Sequence, residues 1–415
     1  MTWTDAALLR AAANRARGRA GFLGYDLAAY QELTGHDPLQ RLEIDQRRLD
    51  RLALCRTPRR GARFGHDVLA ISAHVEVSPV SLARVLRLAD VFAELQDFGR
   101  SADEHADQSP AAVLAAARDE GEEHTVVADV AGAAVGLPGW LHEAVERFWA
   151  QVPTSGRFPR DLDFAVLVGL PLAVVELPRL SFKTISEWLG SHRIDLGIAG
   201  RRDRRLRACL VALGGVGLIF VDAGDDATQR RVSLAHEAAH FIVEYLLPRK
   251  EVARRRPELL DVIDGRRPAT SRERLSAMLG DVPIGVHTHL LDRTHAGHAA
   301  TDRVDDAEWR ARRVALELLA PQMMLLERIR QSGLRDRAKV RTLLVDEFGL
   351  PVSLADDYAE QLLRLASPPR PGLLDLLGRH QPAEGREARP SPLGGTGEEA
   401  SEHGRSSTSE PEEDQ

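Results

Sequence analysis

The sequence predicts an α+β chain, mostly helical, in which a small sheet packs on one central helix and an all-α region comes first. Three observations carry this. Residues 23–98 show short helical patterns with little strand signal. Short apolar runs at 164–177 and 210–221, broken by Gly or Pro, read as buried strands. Apolar residues then recur at helical spacing through 232–246 and again through 311–319.

At 415 residues the chain is long for one ordinary domain. Its 43% hydrophobic and 28% charged residues are those of a soluble globular protein. The formal charge is -7, but residues 379–415 hold nine acidic and four basic side chains, which leaves the body close to neutral. Charge therefore neither supports nor excludes a nucleic-acid partner. Cys55 and Cys209, the two cysteines, form no CxxC pair, which suits a reducing cytoplasm. No signal stretch follows Met1, and neither apolar run has the ~20 residues of a membrane span, so no membrane role is expected.

The expected organisation is a helical, helix-turn-helix-like domain over 1–100, a linker around one short helix over 101–125, a larger domain over 126–368 and a disordered acidic tail over 369–415. Within the first, Asp67 to Leu86 has helix-turn-helix spacing, with Ile71, Val75, Val77, Leu82 and Val85 at the buried positions. Ser78-Pro79 opens the second helix with an N-cap and a first-turn proline. Ser72 and Glu76 depart from the usual Ala and turn Gly. Such a unit would present Val80, Ser81 and Arg84 to a major groove, or serve as a bundle for protein contacts.

Further on, a helix is expected over 140–150, a strand over 171–175, a helix over 180–189 and a strand over 218–221. The acidic turn Asp222 to Asp226 can cap the helix beginning near Ala227. A polar stretch, 249–306, leads to a helix expected over 306–329 with a bend at Pro321. Ser353 is an expected N-cap for a last helix, with Asp356 and Asp357 in its first turn.

The chemistry lies in Val232 to Phe241, which contains His236-Glu237-Ala238-Ala239-His240, an HExxH pattern. On a helix, positions four apart share a face, so both imidazoles can reach one ion. A catalytic zinc keeps three protein ligands and a water, and Glu237 is placed to take that water's proton. The pattern can arise by chance in a chain with 15 histidines, but here it flanks the apolar stripe Val232, Ala235, Ala239, Ile242, Val243 and Leu246. The third ligand is expected to be Glu308, which extends the stripe Ala311, Val314, Ala315, Leu318, Leu319 with a carboxylate. Glu308 also reads as an exposed helix N-terminal acid. Asp305 is the reserve, Glu317 is expected on the solvated side, and His287, His289, His295 and His298 read as a solvated run that could contribute a ligand.

These features together resemble the ImmA/IrrE zinc metallo-endopeptidases, with a gluzincin-like pair of histidines and a glutamate. The resemblance spans roughly residues 130–365 and rests on Leu218 to Val221, Arg231 to Glu237 and the helix ending Leu318-Leu319-Ala320-Pro321. Glu308, Ala311, Ala315, Leu318, Leu319 and Pro321 match in register the family's ExxANxxAxxLLMP, whose first Glu is the third zinc ligand. Arg312 and Ala320 replace its Asn and Met, and the 67 residues between His240 and Glu308 exceed its usual connection. The resemblance implies cleavage of a regulatory protein such as a helix-turn-helix repressor. The rival expectations are a DNA-binding transcriptional regulator whose peptidase-like domain senses without cleaving, and a metal-free helical protein with an accidental HExxH.

Overall fold

The computed structural model describes residues 3–103, 114–119, 137–153, 156–192, 194, 203–264, 266–267, 269–279 and 302–367. Four helices open it: α1 (Trp3–Arg17), α2 (Leu23–Thr34), α3 (Pro38–Leu42) and α4 (Gln46–Ala53). Asp37 and Asp45 cap α3 and α4 by accepting from the backbone N–H of Leu39 and Arg48. Next come α5 (Phe64–Val75) and α6 (Pro79–Asp103), the expected helix-turn-helix pair. Glu76 between them adopts the left-handed conformation (φ 61°) that usually calls for Gly. Helix α6 runs to 25 residues, so the expected domain boundary near residue 100 falls inside it.

After β1 (Leu114–Asp119) come α7 (Gly139–Trp149), α8 (Leu162–Gly169), β2 (Leu172–Leu177), α9 (Phe182–Ser191), β3 (Leu206–Leu213) and β4 (Val216–Asp222). The segment read as a linker thus contains a strand. The apolar run from 164, read as strand, begins as a helix instead. Asp161 caps α8 through the Phe164 N–H, and burial of Leu162 and every residue from Phe164 to Gly169 removes the one-sided spacing that announces a helix.

The strands form one mixed sheet in the order β1-β3-β4-β2. β3 and β4 are an antiparallel hairpin turned at Gly214 and Gly215, both left-handed; β2 lies parallel to β4 and β1 antiparallel to β3. Helix α10 (Ala227–His240) begins at Asp226, whose carboxylate accepts from the Gln229 N–H at 2.8 Å, as the acidic turn predicted. One turn of π-helix (Phe241–Leu246) continues it into α11 (Leu247–Arg255), a 3-10 turn (Pro257–Leu259), α12 (Leu260–Ile263) and α13 (Ser271–Leu279). The chain closes with α14 (Asp302–Leu319), α15 (Gln322–Ser332), α16 (Arg337–Asp346) and α17 (Val352–Ala366). The expected bend at Pro321 is a full break between α14 and α15. Pro351 rather than Ser353 precedes α17, so Asp356 lies in its second turn and pairs with Arg337 and Arg341 of α16.

Alternate residues of the strands serve two cores. Val174, Leu210, Ala212, Ile219 and Val221 face the side of α10, with Val232, Ala235 and Ala239. Ala173, Val175, Cys209, Val211, Leu218 and Phe220 face the other side, with Phe182, Ile185 and Leu189 of α9 and Val91, Phe92 and Leu95 of α6. The sheet is therefore covered on both faces, which is why its strands read as continuous apolar runs. Gly217 lets the layers close: a Cβ there would lie 2.6 Å from Leu172 and 3.1 Å from Phe241.

Residues Met1–Ser367 form one compact unit, since α6 contributes to both cores. Phe92, fully buried, meets Trp188 edge-on at 5.6 Å. Phe92→Ala is expected to lower stability by about 3–5 kcal/mol while unfolding remains a single transition. Separate urea transitions for the N-terminal helices and the sheet, or a change under about 1 kcal/mol, would contradict this packing.

Candidate metal centre

Helix α10 lies between the sheet and α14, and this sandwich sets the site. Val232, Ala235 and Ala239 bury against the sheet-side core, while the small residues Ala311 and Ala315 let α14 approach. The opposing faces carry His236 and His240 from α10 and Glu308 from α14. All three are buried, as is Glu237.

Their reactive atoms converge. The two Nε2 atoms are 3.2 Å apart, and one oxygen of Glu308, Oε2, lies 3.2 Å from His236 and 3.5 Å from His240. These edges make a triangle whose corners all lie about 1.9 Å from one central point. Imidazole nitrogens and carboxylate oxygens bind zinc at about 2.0–2.2 Å, so an ion slightly above the plane meets all three. Among the described residues this is the one group of three His, Cys, Asp or Glu side chains able to hold a metal ion.

Charge tells the same story. Burial pulls the His240 imidazolium down, but the Glu308 carboxylate overrides it, so its pKa rises. Burial alone would push the Glu308 carboxyl up, yet His240 and His236 hold it well below the usual carboxylate range. A carboxylate kept ionised in a buried place needs a cation, which a proton shared with the imidazoles or a metal can supply. The Nδ1 of His240 has no hydrogen-bond partner among the described residues, and its ring meets the His236 ring edge-on at 4.7 Å.

The chain is pinned on both sides of the motif. The π-turn follows His240 directly, a distortion that recurs at functional sites. It sends Tyr245 to donate to Asp264 (3.0 Å) and accept from the Gly215 N–H (2.7 Å), while Arg249 grips the same carboxylate at 2.6 and 2.7 Å. Glu244 pairs with Arg310 at 3.1 Å, tying the π-turn to α14 two residues beyond Glu308. Ahead of the motif, Arg231 donates to the carbonyls of Phe348 and Gly349. None of these anchors was read from the sequence. A pair of arginines opening a buried helix, where the dipole disfavours them, was the available signal.

Asp305 is exposed and takes no part in the group. Glu317, expected in solvent, is buried: the Gln322 N–H donates to its carboxylate, because α14 is covered on all sides near its C-terminus. Arg312 is half-buried and Ala320 buried. His287, His289, His295 and His298 lie outside the described residues, as do 369–415. Of the residues expected to read DNA, Val80 is half-buried against the sheet-side core and Ser81 is half-buried. Arg84 turns inward, 2.9 Å from Glu176 and 3.5 Å from Asp163; Arg230 of α10 meets the same two carboxylates at 3.0 and 2.9 Å. No helix among the described residues is long and apolar enough to cross a membrane.

No family model matches the chain, and no curated protein or solved structure matches it. The geometry of the site therefore carries the functional reading.

Burial pushes the Glu317 carboxyl up to about 7 from 4.5, outweighing the Gln322 hydrogen bond and the charges of Arg313 and Arg160. The folded state then holds a proton that the unfolded chain releases, so this group favours folding below pH 4.5 and loses that contribution as pH rises to 7. Glu317→Gln is expected to gain on the order of 3 kcal/mol relative to the parent between pH 4 and pH 8. Urea denaturation at both pH values measures it; parallel stabilities would contradict a buried neutral Glu317.

Proposed function

We propose that the chain is a zinc-dependent endopeptidase, with His236, His240 and Glu308 as ligands and Glu237 as general base. The convergence of the three ligand atoms within 3.2–3.5 Å of one another carries this reading. Two imidazoles and one carboxylate match zinc's preferences, and three protein ligands are the number a catalytic site keeps. When bound, zinc supplies an acidified water and polarises the scissile carbonyl. Glu237, beside His236 on the same buried turn, takes the attacking water's proton and delivers it to the leaving nitrogen. An extended peptide would lie along an outer edge of the β1-β3-β4-β2 sheet, gaining backbone hydrogen bonds there. The resemblance to the ImmA/IrrE enzymes adds the substrate class, a regulatory protein such as a helix-turn-helix repressor, and the two isolated cysteines suit a cytoplasmic setting.

Burial of all four residues favours a second reading, a non-cleaving regulator whose metal only stabilises or senses. In such a protein the α5–α6 unit would be the DNA reader. That role requires Arg84 to leave Glu176 and Asp163. Under the first reading the substrate reaches the triad only when the layers over α10 part.

Purified protein is expected to carry about one zinc per chain, and His236→Ala or His240→Ala to lose most of it. Glu237→Gln should keep metal and fold but lose proteolysis by at least about a hundredfold. Cleavage retained by Glu237→Gln would refute this mechanism, and metal bound without cleavage of any repressor-like protein by the parent would favour the second reading. Glu308→Ala should weaken zinc binding about 10- to 100-fold or more, whereas Asp305→Ala should leave it unchanged. The reverse order, read by competition with a chelator, would move the ligand one turn upstream.

A further inference from the structure

A cavity of about 260 Å³, with both charged and apolar side chains in its wall, opens where α6 meets the ends of α7 and α8 and the start of β4. Its lining includes Arg60, Arg87, Asp90, Glu94, Arg147 and Gln151, and its wall also takes in Leu246 at the end of the π-turn. Arg87 is the deepest of the charges, only 7% exposed. Its plane is fixed: Nε donates to the Leu167 carbonyl at 2.6 Å, and the guanidinium lies over the Phe64 ring at 3.9 Å. What remains is the terminal fork, 3.7 Å from Asp90.

The charges do not balance. Asp90 is shared, since Arg60 reaches it at 3.1 Å. Glu94 pairs with Arg266 at 3.5 Å, and Arg147 has no carboxylate partner among the described residues. With Arg266 counted beside its partner Glu94, four guanidinium groups meet two carboxylates in and beside the lining, an excess of two positive charges. The strain shows in Arg87: burial, aided by repulsion from Arg60, pulls its pKa down to about 10 although Asp90 opposes this. A buried cation so poorly matched wants an anion.

We propose that this cavity is a binding site for a small phosphomonoester, its dianionic phosphate held by Arg87, Arg60 and Arg147. Guanidinium forks match phosphate oxygens bidentately, and a phosphomonoester carries the charge the cavity lacks. The volume falls just short of the ~300–1,000 Å³ of sites for drug-sized ligands, which suits a short phosphorylated metabolite rather than a nucleotide. Because Leu246 closes the wall six residues after His240, an occupant touches both the N-terminal helices and the segment that follows the metal ligand. The proposal does not depend on the peptidase reading.

The test is calorimetric titration of the full chain, metal-loaded, with glycerol 3-phosphate, inorganic phosphate and succinate at matched ionic strength. Glycerol 3-phosphate is expected to bind at micromolar to millimolar concentration and raise the melting temperature. Arg147→Gln and Arg60→Gln, both at accessible positions, should each weaken it about tenfold, the loss of one charge-assisted contact, with zinc content unchanged. No heat and no thermal shift with either phosphate would overturn the proposal. So would binding that both variants retain in full, and succinate binding as tightly as glycerol 3-phosphate would overturn the phosphate class.

Discussion

The contact on which the rest depends is a buried carboxylate against two imidazoles. Glu308 reaches His236 and His240 because α10 and α14 cross closely on small residues, Ala311 and Ala315 among them. Three ionisable groups withdrawn from water repel or release one another unless a cation joins them. The anchors around α10 hold that arrangement: Asp226 caps its start, Arg230 and Arg231 bind neighbouring segments, and the π-turn is locked by Tyr245, Arg249 and Asp264. The sheet behind supplies an apolar wall, and Gly217 allows Phe241 to approach it.

The site was more legible in the sequence than the fold around it. His236 and His240 stand four apart on an apolar stripe, so spacing paired them, whereas Glu308 was an expectation from the second stripe and the family pattern, with Asp305 in reserve. Glu317 shows the limit of that reasoning. It neighbours the same stripe by helical spacing, but whether a flank is dry depends on what packs there, here the turn into α15. The strand β1 was hidden because Leu114 to Ala117 is alanine-rich, without the β-branched residues that mark strands. Helix α8 was hidden for the opposite reason, being apolar at every position but Asp163.

The N-terminal region illustrates how tertiary packing redirects a local motif. The spacing of Asp67 to Leu86 does form two helices about a left-handed turn, as its pattern predicts. Yet α6 continues well past a recognition helix and enters the core behind the sheet through Val91, Phe92 and Leu95. Arg84, which an isolated unit would offer to a partner, instead joins Arg230 of α10 on the carboxylates of Asp163 and Glu176. The N-terminal helices and the helix that carries His236 and His240 are thus joined by ion pairs as well as by a shared core.

X-ray absorption at the zinc edge of the purified protein reads directly which atoms surround the proposed ion. The expected spectrum has two imidazole nitrogens and oxygen donors, all at about 2.0–2.2 Å. Sulfur scattering at about 2.3 Å, or a shell without imidazole multiple scattering, would contradict a centre built from His236, His240 and Glu308.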